Sequence, residues 1–515
     1  MAWDVRHEKQ YRKLREEVYA AGGRERQEAQ HARGKLTARE RLGLLFDGGL
    51  FEEIEMYVKS RVELGEVKKQ HFSGDGVIAA YGKVNGIPVY AVSQDATISG
   101  GAGGEAHVNK ICRTLELAIK NRRPIVYLCD SGGARIEEGI ISLSAYSRLF
   151  YLNTQASGLI PQIAAIMGNC AGGSSYSPAM CDFIFMVRKT GQFFITGPRV
   201  IKALTGEDVT MDELGGAEVH GRYSGQAHFV CGDDKECISG IRKLLDYITC
   251  TRKKYENRRK IDYTAEGKSI EDIVPEYKKK SYDVREVVGK ICDDGEFMEV
   301  LPDFAANLVT GFCRLDGRTV GIVANQPRVI GGSLDCDSAD KCARFVRVCD
   351  CYDIPVLVFE DVPGFYPGSR EEKKGILRHG CKMLYAFAEA TVPKITVIMR
   401  KAYGGAYCAM NSRELGADMV FAWPICEIAV MGADGAVDIM FHRQIREAVD
   451  PEVFRKKEID RYEEKYLTPY FAAAYGMVDE VIMPEETRDR LVKAFAALEN
   501  KQVQVYEKKH GNIAL

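Results

Sequence analysis

Two short runs of this chain pair glycine residues in a setting that favours binding of an anion. Residues 168–174 read Gly-Asn-Cys-Ala-Gly-Gly-Ser, and residues 400–407 read Arg-Lys-Ala-Tyr-Gly-Gly-Ala-Tyr; each lies between an apolar, strand-like run and a probable helix. Glycine lacks a Cβ, so a ligand atom can approach the backbone closely. Amides at a helix N-terminus are unpaired and lie at the positive end of the helix dipole. Aimed at a carbonyl oxygen that gains charge, such amides form an oxyanion hole.

Parts of these runs also fit a hydrolase. Residues 168–172 match the pattern Gly-x-nucleophile-x-Gly, with Cys170 as the nucleophile. The second run places no nucleophile at the matching position. The histidines that could assist, His220, His228 and His379, have no sequence context that suggests a catalytic role. The hydrolase interpretation is therefore disfavoured.

Two further interpretations of the glycines compete with an oxyanion hole. Residues 101–106 match Gly-x-Gly-x-x-Ala, a weak dinucleotide-binding signal that the second copy lacks around Gly331 and Gly332. The glycine pairs could also serve only close packing of a helix on a strand. Their presence at matched positions in two copies favours the functional interpretation.

Two loops that follow strands could complete the sites. Residues 130–135 read Asp-Ser-Gly-Gly-Ala-Arg, and residues 361–368 read Asp-Val-Pro-Gly-Phe-Tyr-Pro-Gly. Ligands of open α/β sheets bind at the carboxyl ends of the strands, so these loops are expected to line a groove. Ordinary tight turns would use similar residues, which leaves a structural role open.

The candidate sites recur because the chain repeats itself. The run that begins at Pro124 matches the run at Pro355 (355 − 124 = 231), and the glycine pairs at Gly172 and Gly404 lie 404 − 172 = 232 positions apart. Internal similarity at a fixed spacing predicts two copies of one α/β domain. Strands that are apolar throughout predict a sheet buried on both faces.

The length agrees with two domains. A chain of 515 residues is too long for one hydrophobic core. We place the first domain at residues 1–260 and the second at 261–515. The stretch 251–280 is rich in lysine and arginine, and we interpret it as a solvated linker.

Composition argues against several classes of protein. A net charge of −2 does not favour nucleic-acid binding, and no apolar run approaches the 18 residues of a membrane span. The first residues carry no apolar secretory segment, so a reducing cytoplasm is expected. None of the 16 cysteines forms a Cys-x-x-Cys pair, so no structural metal site is predicted.

Taken together, these motifs resemble the carboxyltransferase (β) subunit of biotin-dependent acyl-CoA carboxylases of the propionyl-CoA carboxylase type. The likeness begins with the run Gly34-Lys35-Leu36-Thr37-Ala38-Arg39-Glu40-Arg41 and extends to near Met483. Decarboxylase α subunits of the sodium-pumping methylmalonyl-CoA and glutaconyl-CoA systems share most of it. Its other marks are Ser93-Gln94-Asp95, residues 130–135, residues 170–173, residues 195–198, residues 204–210, residues 361–365, residues 378–380 and residues 400–407.

The resemblance implies an α/β fold made by tandem duplication of two crotonase-like domains, each a ββα spiral. It implies an acyl-CoA side in the first domain, a biotin side in the second, and a hexamer with sites between subunits. The amides of Gly172 and Gly173 would hold the thioester oxygen, and those of Gly405 and Ala406 the ureido oxygen of biotin. The other acyl-CoA residues would be Gly132, Gly133, Ala134, Arg135, Ala171, Gly404, Tyr407 and Cys408. The other biotin-side residues would be Thr196, Gly197, Pro363, Gly364 and Phe365.

The chain departs from this family in ways that leave its substrate open. Cys408 stands where relatives often carry Asp or Ile near the acyl pocket, and residues 370–375 replace the usual Gln-Glu-Tyr-Gly-Gly pattern. No Met-Lys-Met biotin-acceptor motif occurs. The resemblance therefore implies a subunit that works with a biotin carboxyl carrier protein or a biotin carboxylase subunit. Carboxylation of propionyl-CoA or acetyl-CoA, decarboxylation, and a non-catalytic scaffold role remain alternatives.

Overall fold

The protein is described from a computed structural model, which covers residues 5–60, 72–249 and 268–514. The chain divides into two compact units, Met1–Thr249 and Cys250–Leu515. The predicted boundary between residues 260 and 261 lies outside the described residues, as does most of the charged stretch 251–280.

The first unit is an eight-stranded sheet with helices packed against it. Its strands are β1 (Phe51–Ile54), β2 (Val77–Val84), β3 (Ile87–Gln94), β4 (Ile125–Ser131), β5 (Gln162–Ala171), β6 (Phe183–Val187), β7 (Gln192–Phe194) and β8 (Phe229–Cys231). Its helices are α1 (Val5–Ala20), α2 (Arg24–Ala32), α3 (Ala38–Leu45), α4 (Glu105–Asn121), α5 (Ile140–Ala156), α6 (Gly173–Ala179), α7 (Pro198–Thr205), α8 (Met211–Gly215), α9 (Ala217–Arg222) and α10 (Asp234–Thr249).

The second unit repeats this plan. Its strands are β9 (Phe297–Val300), β10 (Leu308–Leu315), β11 (Arg318–Asn325), β12 (Val356–Val362), β13 (Lys394–Tyr403), β14 (Met419–Ala422), β15 (Glu427–Ala429) and β16 (Glu480–Val481). Its helices are α11 (Ile270–Ile273), α12 (Val284–Ile291), α13 (Cys336–Cys351), α14 (Ser369–Lys374), α15 (Ile376–Glu389), α16 (Gly404–Ala409), α17 (Ala433–Met440), α18 (His442–Glu447), α19 (Pro451–Tyr466), α20 (Pro469–Ala474) and α21 (Thr487–Ala497).

The strand order of the two sheets is the same. The first sheet runs β1-β2-β3-β4-β5-β6-β8 with β7 on β5, and the second runs β9-β10-β11-β12-β13-β14-β16 with β15 on β13. In each sheet the first two pairings are antiparallel and the remaining ones are parallel. The helical connections between the parallel strands cover the sheet, because parallel strands require crossovers. The predicted duplication is confirmed.

A buried lysine repeats along with the strands. The Nζ of Lys110 donates to the carbonyl of Val77 at 2.8 Å, and the Nζ of Lys341 donates to the carbonyl of Leu301 at 2.7 Å. The two lysines are 341 − 110 = 231 positions apart, the spacing that the glycine-rich loops share. The duplication therefore preserved the buried lysine and its bond to a backbone carbonyl, whereas the acceptor residue differs, since Val77 corresponds to Leu308 (308 − 77 = 231).

The core of each unit lies on both faces of its sheet. Every residue of β4 and every residue of β12 is buried. Strands covered on both sides favour apolar residues. Residues 125–129 of β4 and 356–359 of β12 follow that pattern, and the polar residues Asp130, Glu360 and Asp361 come after them. Within the described ranges, no helix combines the length and the apolar character needed to cross a bilayer.

Candidate functional site

In the first unit, a sharp backbone turn separates β5 from α6. β5 ends at Ala171, and Gly172 follows with φ 58° and ψ −129°, a conformation that requires glycine. The amide of Gly172 donates to the carbonyl of Phe194 at 3.2 Å. Gly173 is the first residue of α6, so its amide has no acceptor within the helix. The amide of Gly172, predicted to hold the thioester oxygen together with that of Gly173, therefore already donates within the protein. Gly172 orients the turn, and Gly173 presents an amide outside the helix.

The loop after β4 packs directly on this turn. A Cβ built on Gly133, where φ is +108°, would lie 2.9 Å from the carbonyl oxygen of Ala171. A Cβ built on Gly173 would lie 3.6 Å from the Cβ of Ala134. Gly132 donates its amide to the carbonyl of Gly100 at 3.1 Å. The structure thus brings the predicted residues of the 130–135 loop together with those of the glycine turn.

Arg135 supports this loop from inside the protein. Its guanidinium pairs with Asp75 at 3.0 Å and with Glu138 at 2.7 Å, and it also donates to the carbonyl of Ala102 at 3.0 Å. The side chain is 9% exposed. A direct contact with substrate remains a prediction for Arg135, whereas its observed contacts are those of a residue that holds the loop in place.

The residues after β7 border the same turn. A Cβ built on Gly172 would lie 3.8 Å from the carbonyl oxygen of Ile195. Thr196 and Gly197 come next, and α7 begins at Pro198. Thr196 and Gly197, two of the five residues predicted for the biotin side, therefore lie in the first unit, beside the glycine turn predicted for the acyl-CoA side.

Cys170 has no access to a substrate in this structure. Its side chain is fully buried, and its Sγ donates to the carbonyl of Ser174 at 3.3 Å. The three candidate histidines have other partners: the Nδ1 of His228 accepts from the amide of Ile184 at 3.1 Å, His220 contacts the carbonyl of Phe193, and His379 pairs with Asp340 at 2.9 Å. The nucleophile elbow suggested by residues 168–172 therefore has the sequence of such a site without its exposed nucleophile.

A buried ion network supports the end of β4, and sequence reasoning did not assign it to the site. Asp130 pairs with Lys35 at 2.7 Å and with Arg41 at 3.1 Å, and Arg41 also pairs with Asp234 at 2.8 Å. All four side chains are at most 10% exposed. The signal was present, because Lys35 and Arg41 belong to one of the motifs that carry the family resemblance.

The second unit has the same turn between β13 and α16. β13 ends at Tyr403, and Gly404 begins α16 with φ +60°. Gly405 follows at ordinary helical φ, and a Cβ built there would meet no atom within 4 Å. Open space thus borders the backbone of Gly405. The first-turn amides of Gly405 and Ala406 have no acceptor within the helix.

The loop after β12 flanks this second turn. Val362, at the end of β12, pairs with Ala402 of β13, which brings Pro363 next to the turn. The amide of Leu334 donates to the carbonyl of Gly364 at 3.1 Å. The ring of Phe365 lies 3.1 Å from the place of a Cβ on Gly380. The predicted residues 363–365 and the glycine turn therefore lie together in the second unit.

Charged side chains support the second turn, as they support the first. The Nε of Arg400 pairs with Asp361 at 2.8 Å, and the hydroxyl of Tyr282 donates to the same carboxylate at 3.0 Å. The Tyr403 hydroxyl donates to the carboxylate of Glu427. Asp361 occupies the place of Asp130 in the first unit, since 361 − 130 = 231. The sequence marked Asp361 and Arg400 as family residues, whereas Glu427 gave no signal.

Tyr407 and Cys408 lie on α16, one turn beyond the glycines. Tyr407 is half-buried, and burial raises the pKa of its hydroxyl. Cys408 is exposed by its overall surface area, but partial burial of its thiol raises the thiol pKa. Each predicted set of substrate residues thus draws on both units, with Gly404, Tyr407 and Cys408 in the second.

Comparison with known proteins agrees with this architecture. A family model described as "Carboxyl transferase domain" matches residues 29–513. Methylmalonyl-CoA decarboxylase subunit alpha of Propionigenium modestum is 50% identical over 505 residues, 98% of either chain. Propionyl-CoA carboxylase beta chain of Cereibacter sphaeroides is 49% identical over 498 residues, 96% of this chain and 97% of that one.

A solved structure extends the likeness to the fold. Transcarboxylase 12S, crystallised as a hexamer with methylmalonyl-coenzyme A and methylmalonic acid bound, superposes with a TM-score of 0.95 at 48% identity, covering 100% of this chain and 99% of that one. The prediction of two crotonase-like domains in tandem is confirmed. The predicted membership of the carboxyltransferase family of enzymes is also confirmed. The chain belongs to the carboxyl transferase domain family.

Proposed function

We propose that this chain is the carboxyltransferase subunit of a biotin-dependent acyl-CoA carboxylase. It would move CO2 from carboxybiotin on a partner subunit to the α-carbon of a small acyl-CoA, propionyl-CoA or acetyl-CoA. The observation that carries the proposal is the pair of equivalent strand–glycine–helix turns, one in each unit of a family member. The reaction develops negative charge on two carbonyl oxygens, and each turn would stabilise one of them.

On the acyl-CoA side, we assign the thioester oxygen to the turn at the start of α6. Gly173 would supply the amide donor, and Gly172 would set the backbone direction through its positive φ. Gly132, Gly133 and Ala134 would form the adjoining wall, which Arg135 holds through its carboxylate partners. The proposed acyl-CoA set also keeps Ala171, Gly404, Tyr407 and Cys408.

On the biotin side, the turn at α16 suits the planar ureido group of biotin. The space beside Gly405, which a Cβ would enter without meeting an atom within 4 Å, gives a ligand access to the amides of Gly405 and Ala406. Carboxybiotin would supply the CO2 and, once that is lost, the base for the α-proton. The proposed biotin set also keeps Thr196, Gly197, Pro363, Gly364 and Phe365.

The residues of the chain would therefore bind, orient and stabilise charge. Amides fixed in a backbone turn need no reorganisation when charge develops, and each such donor contributes about 3 kcal/mol to stabilisation of the transition state. Buried ion pairs at Asp130 and Asp361 fix the strand ends that carry these turns. Rigid support matters because donors that are displaced by a fraction of an ångström lose much of their effect.

Oligomer and partners follow from the same assignment. Transcarboxylase 12S was solved as a hexamer, and we propose that this chain forms a hexamer as well. Its partners would be a biotin carboxyl carrier protein or a biotin carboxylase subunit, because the chain contains no Met-Lys-Met acceptor motif of its own.

A decarboxylase α subunit is the second candidate function. The likeness to the Propionigenium modestum decarboxylase subunit favours it as strongly as the likeness to carboxylase β chains favours the first. Both would perform the same transfer between a thioester and biotin, in opposite directions. The partner subunits decide the direction.

The test uses the purified hexamer with malonyl-CoA or methylmalonyl-CoA and either free biotin or a biotinylated carrier domain. Decarboxylation to acetyl-CoA or propionyl-CoA that depends on biotin is the expected result. The preferred thioester would identify the acyl group. CoA binding without biotin-dependent turnover of either thioester would refute the assignment to small acyl groups and would favour a scaffold role or a larger substrate such as glutaconyl-CoA.

A further inference from the structure

One buried acid in the second unit has no partner for either of its oxygens. Glu360 lies on β12 with a side chain that is 0% exposed, and both Oε1 and Oε2 lack a hydrogen-bond partner among the described atoms. Burying a carboxyl group without partners is costly, and far more costly when it is ionised. A group of this kind in a native protein requires an explanation.

The strand register shows what Glu360 faces. Glu360 pairs with Ile398 of β13, so the two side chains project from the same face of the sheet. Ile398 belongs to a buried apolar cluster on which Tyr407 packs. α16, which carries Tyr407, also packs on β12. Glu360 and Tyr407 thus approach the same part of the interior from the strand and from the helix.

Tyr407 has the complementary deficiency. Its hydroxyl is buried and has no hydrogen-bond partner among the described atoms. A phenol can donate one hydrogen bond and accept others, and a protonated carboxyl group can do both. Hydrogen bonds in active sites are often loose before substrate binds and tighten in the complex. The two groups without partners are therefore suited to each other.

The duplication supplies an internal comparison. Glu360 corresponds to Cys129 in the first unit (360 − 129 = 231), and Tyr407 corresponds to Ser175 (407 − 175 = 232). There the hydroxyl of Ser175 donates to the carbonyl of Gly172 at 2.7 Å. The fold therefore does not require an acid at the position of Glu360. Glu360 and Tyr407 both differ from their counterparts, and both lie in the unit that carries the proposed biotin turn.

Charge around Glu360 favours its neutral form. Burial raises the pKa of Glu360 well above its ordinary value, and the neighbouring Asp361 raises it further. The titratable groups that interact with it from other elements are Tyr407 and Cys408 on α16 and Cys426 between β14 and β15. Glu414 acts on Tyr407 and Cys408 from the segment after α16. None of these groups is a cation, so none of them forms an ion pair that would stabilise a carboxylate at this position.

We propose that Glu360, as a neutral carboxylic acid, is a positioning residue that pairs with the Tyr407 hydroxyl and thereby holds the first turn of α16. The inference rests on the proposed function, because that turn presents Gly405 and Ala406. An ionised Glu360 would place a negative charge beneath amides that are meant to stabilise one. Activity therefore depends on the proton of Glu360 as well as on its side chain.

The test compares Glu360→Gln, Glu360→Val, Tyr407→Phe and the double variant Glu360→Val/Tyr407→Phe in biotin-dependent decarboxylation of methylmalonyl-CoA. Loss of the buried hydrogen bond should lower kcat about tenfold in Glu360→Val and in Tyr407→Phe. The double variant should fall no further than the worse single variant, because the two changes remove one interaction. Glu360→Gln, which keeps a hydrogen-bonding group, should stay within about threefold of the wild type.

The pH profile separates positioning from packing. Wild-type kcat should decline at alkaline pH as Glu360 loses its proton, and Glu360→Gln should lack that decline because an amide does not ionise in this range. The control is Val358→Ala, a buried residue on the same strand face, which should lower thermal stability and leave the wild-type profile in place. Multiplicative losses in the double variant, or the same alkaline decline in Glu360→Gln, would overturn the proposal. Absence of biotin-dependent turnover in the wild type would instead count against the proposed function.

Discussion

Gly405→Val tests the second glycine turn most directly. A Cβ at Gly405 would meet no atom within 4 Å, and the residue does not have the positive φ that penalises side chains. The substitution therefore creates no clash within the described chain. Its methyl groups would occupy the space beside the amides of Gly405 and Ala406, where we place the ureido group of biotin.

The expected effects on folding and on catalysis are of very different size. Valine is roughly 0.4 kcal/mol more favourable than glycine within a helix, so stability should be unchanged or slightly higher. Loss of an oxyanion donor costs about 3 kcal/mol, or roughly a hundredfold in rate. Binding of acyl-CoA, which we assign mainly to the turn at Gly173, should remain within about twofold of wild type if the two turns act separately.

The assay measures biotin-dependent decarboxylation, acyl-CoA affinity by calorimetry, and the melting temperature of the same preparations. Gly289→Val is the matched control, because Gly289 lies in α12, also has open space at its Cβ, and belongs to no proposed site. It should change neither turnover nor affinity. If Gly405→Val kept more than about a third of wild-type turnover, an effect far below that of a lost oxyanion donor, the assignment of the second hole would be wrong.

Three other changes probe the supporting structure. Asp130→Asn leaves the buried cation Lys35 without its carboxylate and leaves Arg41 with Asp234 alone, so it should destabilise the first unit by about 3–5 kcal/mol, measured as a fall in denaturant midpoint; an unchanged midpoint would contradict this. Burial lowers the pKa of Lys341 to about 7, so the unfolded chain binds more protons than the folded one above that pH, and stability should rise from about pH 7 to pH 10. Lys341→Met should flatten that rise, and an equally steep rise in the variant would refute the assignment. Cys408→Phe should lower kcat/KM for propionyl-CoA about tenfold more than for acetyl-CoA if its side chain borders the acyl group; equal losses would place it elsewhere.

The fold could be predicted from the sequence because its strongest signals are local and repeated. The apolar run at Pro124 and its copy at Pro355 gave the buried parallel strands β4 and β12. The glycine pairs at Gly172 and Gly404 gave the ends of β5 and β13. Positive φ values at these two glycines explain why the pattern survived in both copies, since other residues are strained there.

The site was harder to predict because its support comes from residues that are distant in sequence. Arg135 stands in a glycine-rich loop, which predicted ligand binding but gave no sign that its guanidinium pairs with Asp75 and Glu138. Glu427 follows Cys426 in a segment without a motif, and only the pairing of β13 with β15 places it against Tyr403. Composition and spacing carry no information on such partners, because these contacts depend on the tertiary fold.

The differences between the two copies are more informative about function than their likeness. If each turn only joined a strand to a helix, the same neighbouring residues could serve in both units. The equivalent ion pairs of Asp130 and Asp361 are neighbours of this shared kind. However, the positions of Cys129 and Ser175 in the first unit are occupied by Glu360 and Tyr407 in the second. A buried acid without partners lowers stability, so its presence indicates a benefit that stability does not measure. We place that benefit at the second turn. With its proton, Glu360 would be neutral beneath the amides of α16, which could then stabilise an anion; without its proton, its negative charge would oppose that stabilisation.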